Sequence, residues 1–272
     1  SRKSWYFCPA NRLNWVFIFS FFHLYLLMRL ITIVLLLFVI ISPVNANTIY
    51  NLIKIPNLEI YQAKSTNGLK YLKAIKPFQI GVNNNVECLN SNIDTIKEKF
   101  PTIVKNFNKY SLDFLKKINL KYIVLCEDLS ISEINTGGIP NNKMRTLIID
   151  IKFDKNHFER VIHHEIFHII NDDYKKYFKE DDWKKFNNAK FKYADCSTCS
   201  NRLNLSLYEK TEGFLTEYSM STASEDMAEV FSFIMTDKKN IENKVINDTI
   251  LNKKISFIKN NILKIDNKFS FK

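Results

Sequence analysis

The stretch "HHEIFHII" (residues 163–170) decides how this chain folds, because it sets three of the five histidines and one glutamate among apolar residues. On an α-helix, His164 and His168 lie one turn apart, so both imidazoles project from the same side. Glu165 follows His164 with a rotation of about 100°. This H-E-x-x-H spacing suits a metal ion held by two imidazoles with a carboxylate beside it.

The rest of the helix argues against histidines that simply face water. One apolar stripe runs along it, as on any packed helix: Ile162, Ile166, Ile169 and Ile170. Phe158 and Val161 lie on the other side and bracket Glu165, so the helix is apolar nearly all round and is predicted to be buried. A lone buried carboxylate is costly unless something compensates for it. We therefore predict a zinc site at the motif, with His163 packing elsewhere on the same helix.

The motif supplies two ligands, whereas a catalytic zinc ion needs three from the protein and a closed structural one needs four. No histidine follows the motif, so the next ligand is predicted to be a carboxylate from a later helix. The best candidate is "SEDMAEVFSFIM" (residues 224–235), in which Glu225 and Glu229 share a helix face. Periodicity alone also fits a solvated acidic face there, and Asp172 and Asp173, just after the motif, are rival ligands.

The stretch "LTEYSMSTASEDMAEVFSFIM" (residues 215–235), taken with the motif, resembles the catalytic region of anthrax lethal factor and its relatives among the gluzincin metallopeptidases. It is also similar to a group of zinc-binding metallopeptidases exported by bacteria. The shared pattern is a Tyr, a Glu seven positions later, and A-E after two more residues. The resemblance covers the motif helix and residues 213–235, and does not extend over residues 47–156.

The resemblance implies a Zn²⁺ site with three ligands: His164, His168 and Glu225. It makes Glu165 the catalytic general base, Tyr218 a helper at the oxyanion, and Glu229 the residue that orients a ligand imidazole. The implied function is hydrolysis of peptide bonds in a peptide or protein substrate by a zinc-activated water. Glu225 comes 57 positions after His168, a longer separation than in the toxin, so the resemblance does not define the substrate channel.

Two other classes of function stay possible from the sequence. One is a non-catalytic secreted binding protein in which zinc only ties helices together. The other is a membrane-anchored interaction protein in which the motif is accidental. The chain is 46% apolar and 25% charged, as globular proteins are, and holds no run of basic residues interleaved with aromatics that would indicate a nucleic-acid partner. The sequence does not indicate an oligomeric state.

The N-terminal region has the layout of an export signal. "MRLITIVLLLFVIISPVNA" (residues 28–46) has a basic start, a short apolar core and a V-x-A end, which predicts a signal peptide and a secreted or periplasmic protein. Residues 1–27 are interpreted as an upstream or non-native extension. The alternative is that this apolar segment is retained as a membrane anchor. Residues 47–272 are predicted to form one domain with 35 basic and 28 acidic residues, a net charge of +7.

The pattern along this domain predicts an α+β fold. Strands are expected at residues 69–82, 121–131 and 144–153, and helices at 92–118, 157–178, 224–237 and 249–264. Pro101 is expected to begin a second helix within 92–118. Residues 47–156 thus mix strand and helix, and residues 157–272 are mostly helical. Together with the resemblance, this implies a zincin-like domain with a small mixed sheet and an active-site helix.

Residues 135–142, "NTGGIPNN", read as a turn-rich loop between two strands. Gly137 and Gly138 raise a second possibility, that this region offers a strand edge on which an extended substrate lies. A plain hairpin connection explains the two glycines equally well.

Four cysteines fall within residues 47–272: Cys88, Cys126, Cys196 and Cys199. In an oxidising compartment they predict two disulfides, with three possible connectivities. The "CSTC" pair could instead be half of a zinc knuckle or a redox pair. It has no second Cys/His pair nearby and no thioredoxin-like setting, so a structural disulfide is favoured.

Overall fold

The computed structural model of the chain describes residues 28–29, 55, 57–199 and 201–271. Contacts between Cα atoms group residues 47–272 into one compact unit. The predicted signal peptide (28–46) and upstream extension (1–27) lie outside the described residues, apart from Met28 and Arg29. Among the helices of the described residues, none combines the length and the apolar character needed to cross a membrane.

The described part of the chain contains one mixed sheet of eight strands: β1 (Leu58–Gln62), β2 (Lys70–Ala74), β3 (Phe78–Ile80), β4 (Val86–Leu89), β5 (Tyr122–Ile131), β6 (Ile134–Asn135), β7 (Gly138–Asn141) and β8 (Thr146–Asp150). The first half of β5 pairs in parallel with β2 and β8. Its second half pairs antiparallel with β4 and β6. Alternate side chains of β5 enter two buried clusters, Ile123 and Leu125 in one and Val124 and Cys126 in the other, so its sequence is a nearly continuous buried apolar run, "YIVLC".

Seven helices are described, and most lie after the sheet in sequence: α1 (Ile93–Phe107), α2 (Leu112–Lys117), α3 (Phe158–Asp173), α4 (Glu180–Lys184), α5 (Ala223–Thr236), α6 (Lys238–Val245) and α7 (Thr249–Ile265). Side-chain caps fix where several of them begin. Asn92, Ser111, Thr222 and Asp248 each accept a hydrogen bond from a backbone N–H of the first turn of α1, α2, α5 and α7.

Helix α3 carries the histidine motif and packs between the sheet and α5. Its Phe167 ring contacts Phe178 and, on α5, Phe231, with ring centroids 5.1 and 5.5 Å apart. Ala228 and Ser232 of α5 are fully buried, and their small side chains allow a close approach between helices. Helices α3 and α5 therefore pack directly against each other.

The predicted α+β class is confirmed, and three details of the prediction are wrong. The sheet has eight strands rather than the small number expected. Pro101 does not begin a second helix: α1 continues through it to Phe107, and α2 begins after Ser111. Burial of Ile96, Ile103 and Phe107 along one face of α1 offsets the hydrogen bond that a proline removes. Residues 135–142 are not all loop, because they contain β7.

Both predicted disulfides are present. Cys88 and Cys126 join the neighbouring strands β4 and β5 within the core, with their Cα atoms 6.0 Å apart. Cys196 and Cys199 close a four-residue turn in the long connection between α4 and α5. The "CSTC" pair is therefore a disulfide and not half of a zinc knuckle.

Candidate metal centre

Three side chains from two helices meet at one point above the sheet. His164 Nε2 lies 2.9 Å from Glu225 Oε2, and His168 Nε2 lies 3.2 Å from the same oxygen. The two Nε2 atoms are 3.1 Å apart. Among the residues that the structure describes, this is the one group of His, Cys, Asp or Glu side chains placed to hold a metal ion. The helices that bring it together are α3 and the first turn of α5.

The three atoms fit a zinc ion in spacing. Ligand atoms about 2.0–2.1 Å from a tetrahedral zinc lie about 3.3 Å from one another. The observed edges of 2.9, 3.1 and 3.2 Å are slightly shorter, so a small outward movement of the side chains accommodates the ion.

They also fit a zinc ion in chemistry. His164 Nδ1 lies 2.9 Å from Glu229 Oε1, which can only accept, so Nδ1 carries a proton. In a neutral imidazole, Nε2 then presents a lone pair to Glu225 Oε2, which is another acceptor. Without a metal ion, the ring takes up a second proton and donates it to Glu225, and a metal ion can replace that proton. The donor set of two imidazoles and one carboxylate is one that zinc prefers.

The electrostatics of the group favour positive charge at this point. Burial opposes a charged His164, yet hydrogen bonds to Glu225 and Glu229 raise its pKa to about 10. Burial also opposes a charged Glu225, but His168 and His164 hold the pKa of this carboxyl well below its ordinary value. Glu225 is therefore a buried anion that a neighbouring positive charge stabilises, as is typical of a carboxylate that binds a metal ion.

A set of hydrogen bonds behind His164 fixes the orientation of its ring. Glu229, one turn after Glu225 on α5, accepts from Nδ1 of the ring through Oε1. Its Oε2 accepts from the hydroxyl of Thr216 at 2.9 Å and lies 3.8 Å from the guanidinium of Arg160. The resemblance predicted this position for Glu229, and the structure brings it there.

Three residues that lie near His168 or Glu229 were not predicted from the sequence. The hydroxyl of Ser224 lies 3.4 Å from Nδ1 of His168, so the ring of His168 has a weaker hydrogen-bond partner than the ring of His164 has in Glu229. Thr216 and Arg160 reach Glu229 from a loop and from the N-terminal turn of α3. None of the three belongs to a spaced motif. The nearest signal was Arg160, the one arginine or lysine on this helix.

Glu165 lies beside the ligands and is buried, as its apolar neighbours on the helix wheel predicted. Burial raises the pKa of Glu165 to about 7, against the opposing charges of His164 and His168. The strand β7 backs its side chain: a Cβ atom placed on Gly138 would lie 2.6 Å from Glu165 Cγ. The carboxyl group faces a cleft of about 270 Å³ that His164 also lines.

Tyr218 lines the same cleft, from a short 3₁₀-helix at Tyr218–Met220. The centroid of its ring is 5.9 Å from that of His164. Burial raises the pKa of Tyr218, and the charges of Glu225 and Glu165 raise it further, so its hydroxyl remains protonated and can donate. The structure thus brings every site residue predicted from the sequence into one region.

The rival ligands lie elsewhere. His163 points away from the metal group, where its ring contacts the hydroxyl of Tyr110 at 2.5 Å and the side-chain oxygen of Asn106 at 2.9 Å. Asp173 accepts a hydrogen bond from an asparagine of the β7–β8 turn, and exposed Asp172 pairs with a lysine three residues on. His163 is thus a hydrogen-bonded core residue, and neither aspartate joins the metal group.

Comparison with known proteins identifies a family for this chain. The profile of a family described as "Putative zinc-binding metallo-peptidase" matches residues 113–271, more than half of the chain and the whole of the metal group. One similar solved structure is that of a putative zinc-binding metallo-peptidase from Bacteroides caccae. It is 20% identical, covers 69% of this chain and 76% of its own, and gives a TM-score of 0.43. No curated protein sequence matches. On the family match, the chain belongs to this family of zinc-binding metallopeptidases.

Proposed function

We propose that this protein is a zinc-dependent endopeptidase of the gluzincin type, with three zinc ligands: His164, His168 and Glu225. One observation carries the proposal. Two imidazole nitrogens and one carboxylate oxygen lie within 3.2 Å of one another, although their two helices are far apart in sequence. His164 lines the same cleft as Glu165 and Tyr218. The ligand number supports catalysis over a closed structural site, because the described residues place three ligands at this point and not four.

The chain's own residues account for the movement of protons. The chemistry that zinc supplies when bound is polarisation of the peptide carbonyl and a lowered pKa of water. Glu165, with a pKa of about 7, takes a proton from the attacking water and returns it to the leaving amine. The protonated hydroxyl of Tyr218 donates a hydrogen bond to the oxyanion that develops on the carbonyl. Glu229 keeps the ring of His164 in the orientation that this requires.

The strand β7 supports a peptide substrate in an extended conformation. Within the described part of the sheet it pairs with β8 alone, which leaves its other edge available for a further strand. It borders α3, and Gly138 brings its backbone against Glu165 without a side chain between them. We therefore propose that a substrate adds to this edge as a strand, with its scissile bond near Glu165.

A cleavage-site profile on a proteome-derived peptide pool tests the proposal. We expect the zinc-loaded protein to cut peptides, chelator to abolish cutting, and zinc to restore it. Glu165→Gln should retain zinc and lose about 10²- to 10⁴-fold in rate, because the proton transfer is lost while the ligands remain. A zinc-loaded protein that cuts nothing, or a fully active Glu165→Gln variant, would contradict the proposal.

We also propose that residues 28–46 direct export and that residues 47–272 are the exported peptidase domain. The two disulfides support an oxidising compartment, since thiols stay reduced in the cytosol. Sequencing the N-terminus of the protein from its native source checks this. We expect it to start at Asn47; retention of the apolar segment would instead indicate a membrane anchor.

A further inference from the structure

One wall of the cleft is made by the turn that the second disulfide closes. This disulfide turn consists of residues Cys196–Cys199, and the N–H of Cys199 donates to the carbonyl of Cys196 at 3.3 Å. Ser197 and Thr198, the two residues between the cysteines, line the same cleft as Glu165. The turn therefore lies where a bound substrate would pass.

Both sides of the disulfide turn are anchored to the segment that carries Tyr218. Before the turn, the N–H of Ala194 donates to the carbonyl of Ser221 at 2.8 Å. After the turn, the guanidinium of Arg202 donates to the carbonyl of Met220 at 2.8 Å. The disulfide thus closes the loop that projects between these two anchors.

The residues after the turn continue the same wall. Leu203 and Leu205 line the cleft, and the carbonyl of Asn204, between them, accepts the N–H of Tyr218 at 3.2 Å. The carbonyl of Leu205 accepts a hydrogen bond from Arg160 on α3. The wall of the cleft and the backbone of Tyr218 are therefore parts of one hydrogen-bonded unit.

The lining of the cleft indicates what it admits. Its acidic members are Glu165 and Glu229, and its one arginine, Arg160, lies 3.8 Å from Glu229. Most of the other lining residues are uncharged, and Ile131 and Leu203 expose 38% and 54% of their surface. A volume of about 270 Å³ is below the roughly 300–1,000 Å³ of pockets for whole small ligands. The cleft suits one uncharged side chain.

We propose that the disulfide turn is a specificity element of this peptidase, an inference that rests on the function proposed above. The disulfide fixes the wall so that one uncharged substrate side chain fits beside the scissile bond. Through the anchors at Met220 and Ser221, it also holds Tyr218 within reach of the carbonyl. Its residues act by positioning and by shape, and take no part in proton transfer.

The test compares the Cys196→Ser/Cys199→Ser variant with the unmodified protein, both zinc-loaded, on the same peptide pool. We expect the preference for uncharged over charged side chains beside the cleaved bond, as a ratio of kcat/KM values, to fall on the order of 10-fold. Zinc content should not change, because the ligands lie on α3 and α5. Unchanged preference would overturn the proposal.

The other disulfide provides a matched control. Cys88→Ala/Cys126→Ala also removes one disulfide, but from the core between β4 and β5. It should lower the melting temperature and leave the preference as it was. An equal loss of preference in both variants would mean that destabilisation alone is responsible, and would overturn the proposal.

Hydrogen exchange gives a readout that needs no catalysis. The amides of Tyr218 and Ser221 should exchange at least about 10-fold faster in Cys196→Ser/Cys199→Ser than in the unmodified protein, since opening the turn loosens the segment. Unaltered exchange would overturn the positioning role. If no peptide is cut by either protein, the proposed function fails, and the exchange result alone decides whether the turn holds the Tyr218 segment.

Discussion

At the scale of single residues, the site depends on which nitrogen of His164 carries a proton. Glu229 accepts from Nδ1, which leaves the Nε2 lone pair for a cation shared with Glu225. Among the described residues, the hydroxyl of Ser224 is the partner of Nδ1 of His168, at 3.4 Å. The two imidazoles are therefore held unequally, and a carboxylate holds the first more firmly than a hydroxyl holds the second.

This inequality predicts how substitutions affect zinc affinity. Glu229→Gln should weaken zinc binding about 10- to 100-fold, because the ring of His164 loses its charged partner. Glu225→Gln should weaken it further, since a ligand is lost. Titration of the metal-free protein with zinc measures both. Glu242→Gln, an exposed glutamate on α6, is the control and should bind zinc normally; equal affinity of Glu225→Gln and this control would refute the ligand assignment.

The pKa of Glu165 predicts the acidic side of the pH profile. Burial raises this pKa to about 7, and the group can accept a proton only when it is ionised. We therefore expect kcat/KM to rise with pH up to about 7 and to level off above it. Measurement with one fluorogenic peptide from about pH 5 to about pH 9 checks this. A profile that is flat through pH 7 would argue against Glu165 as the base.

Much of the candidate site was predictable from the sequence because its ligands sit at fixed spacings. One turn of helix separates His164 from His168, and another separates Glu225 from Glu229, so spacing placed each pair on one helix face. The choice of Glu225 over a solvated acidic face or a nearby aspartate came from the family resemblance. Thr216 and Ser224 were not predictable. Their hydroxyls reach the site through the packing of a loop and a helix start, and no spacing in the sequence encodes that.

At the scale of elements, the long strands and helices were predictable and the short ones were not. Strand β5 begins with a continuous apolar run that contains Ile123 and Val124, whereas β7 has the sequence Gly-Ile-Pro-Asn, which is typical of turns. It is a strand because β8 supplies hydrogen-bond partners, which is a tertiary effect. Strand β1 and helix α6 were also missed, because five and eight residues give a periodic pattern little length in which to repeat.

The contact between β7 and α3 predicts the effect of Gly138→Ala. The added Cβ would lie 2.6 Å from Glu165 Cγ and 3.3 Å from the carbonyl oxygen of Ile148, so the base must move. We expect kcat/KM to fall on the order of 10-fold or more, because small misplacement of a catalytic group is costly. Zinc content should be unchanged, since the ligands lie on the helices. A Gly138→Ala variant with full activity would show that the base tolerates displacement.

At the scale of the whole molecule, a buried cluster around Lys254 and Asp226 joins helix α7 to the start of helix α5. Lys254 on α7 donates to Asp226 Oδ2 at 2.6 Å and to the carbonyl of Gly213 at 2.7 Å. The same carboxylate oxygen accepts from Trp183 on α4 and from the hydroxyl of Tyr193. Asp226 is the neighbour of the ligand Glu225, so the cluster fixes the start of α5 relative to three other segments.

This cluster predicts a large stability effect at Lys254. Lys254→Met leaves the carboxylate of Asp226 buried without its counter-charge, which should cost about 3–5 kcal/mol in the free energy of unfolding. Replacing the pair together, as Lys254→Met/Asp226→Leu, should recover much of that loss. Urea denaturation measures both. Lys253→Met, on the exposed side of α7, should change stability by less than about 0.5 kcal/mol; similar values for the two lysines would contradict the ion-pair account.

The distance along the chain between the two halves of the metal centre has a consequence for biosynthesis. A ribosome makes both imidazoles at least 57 residues before it makes the carboxylate, and makes Lys254 a further 29 residues after that carboxylate. Until Glu225 has been made, the histidines lack this third partner, and until Lys254 has been made, α5 lacks the ion pair that fixes its start. On the proposed function, a chain still on the ribosome therefore cannot hydrolyse peptides before these later segments have been made and have folded onto α3.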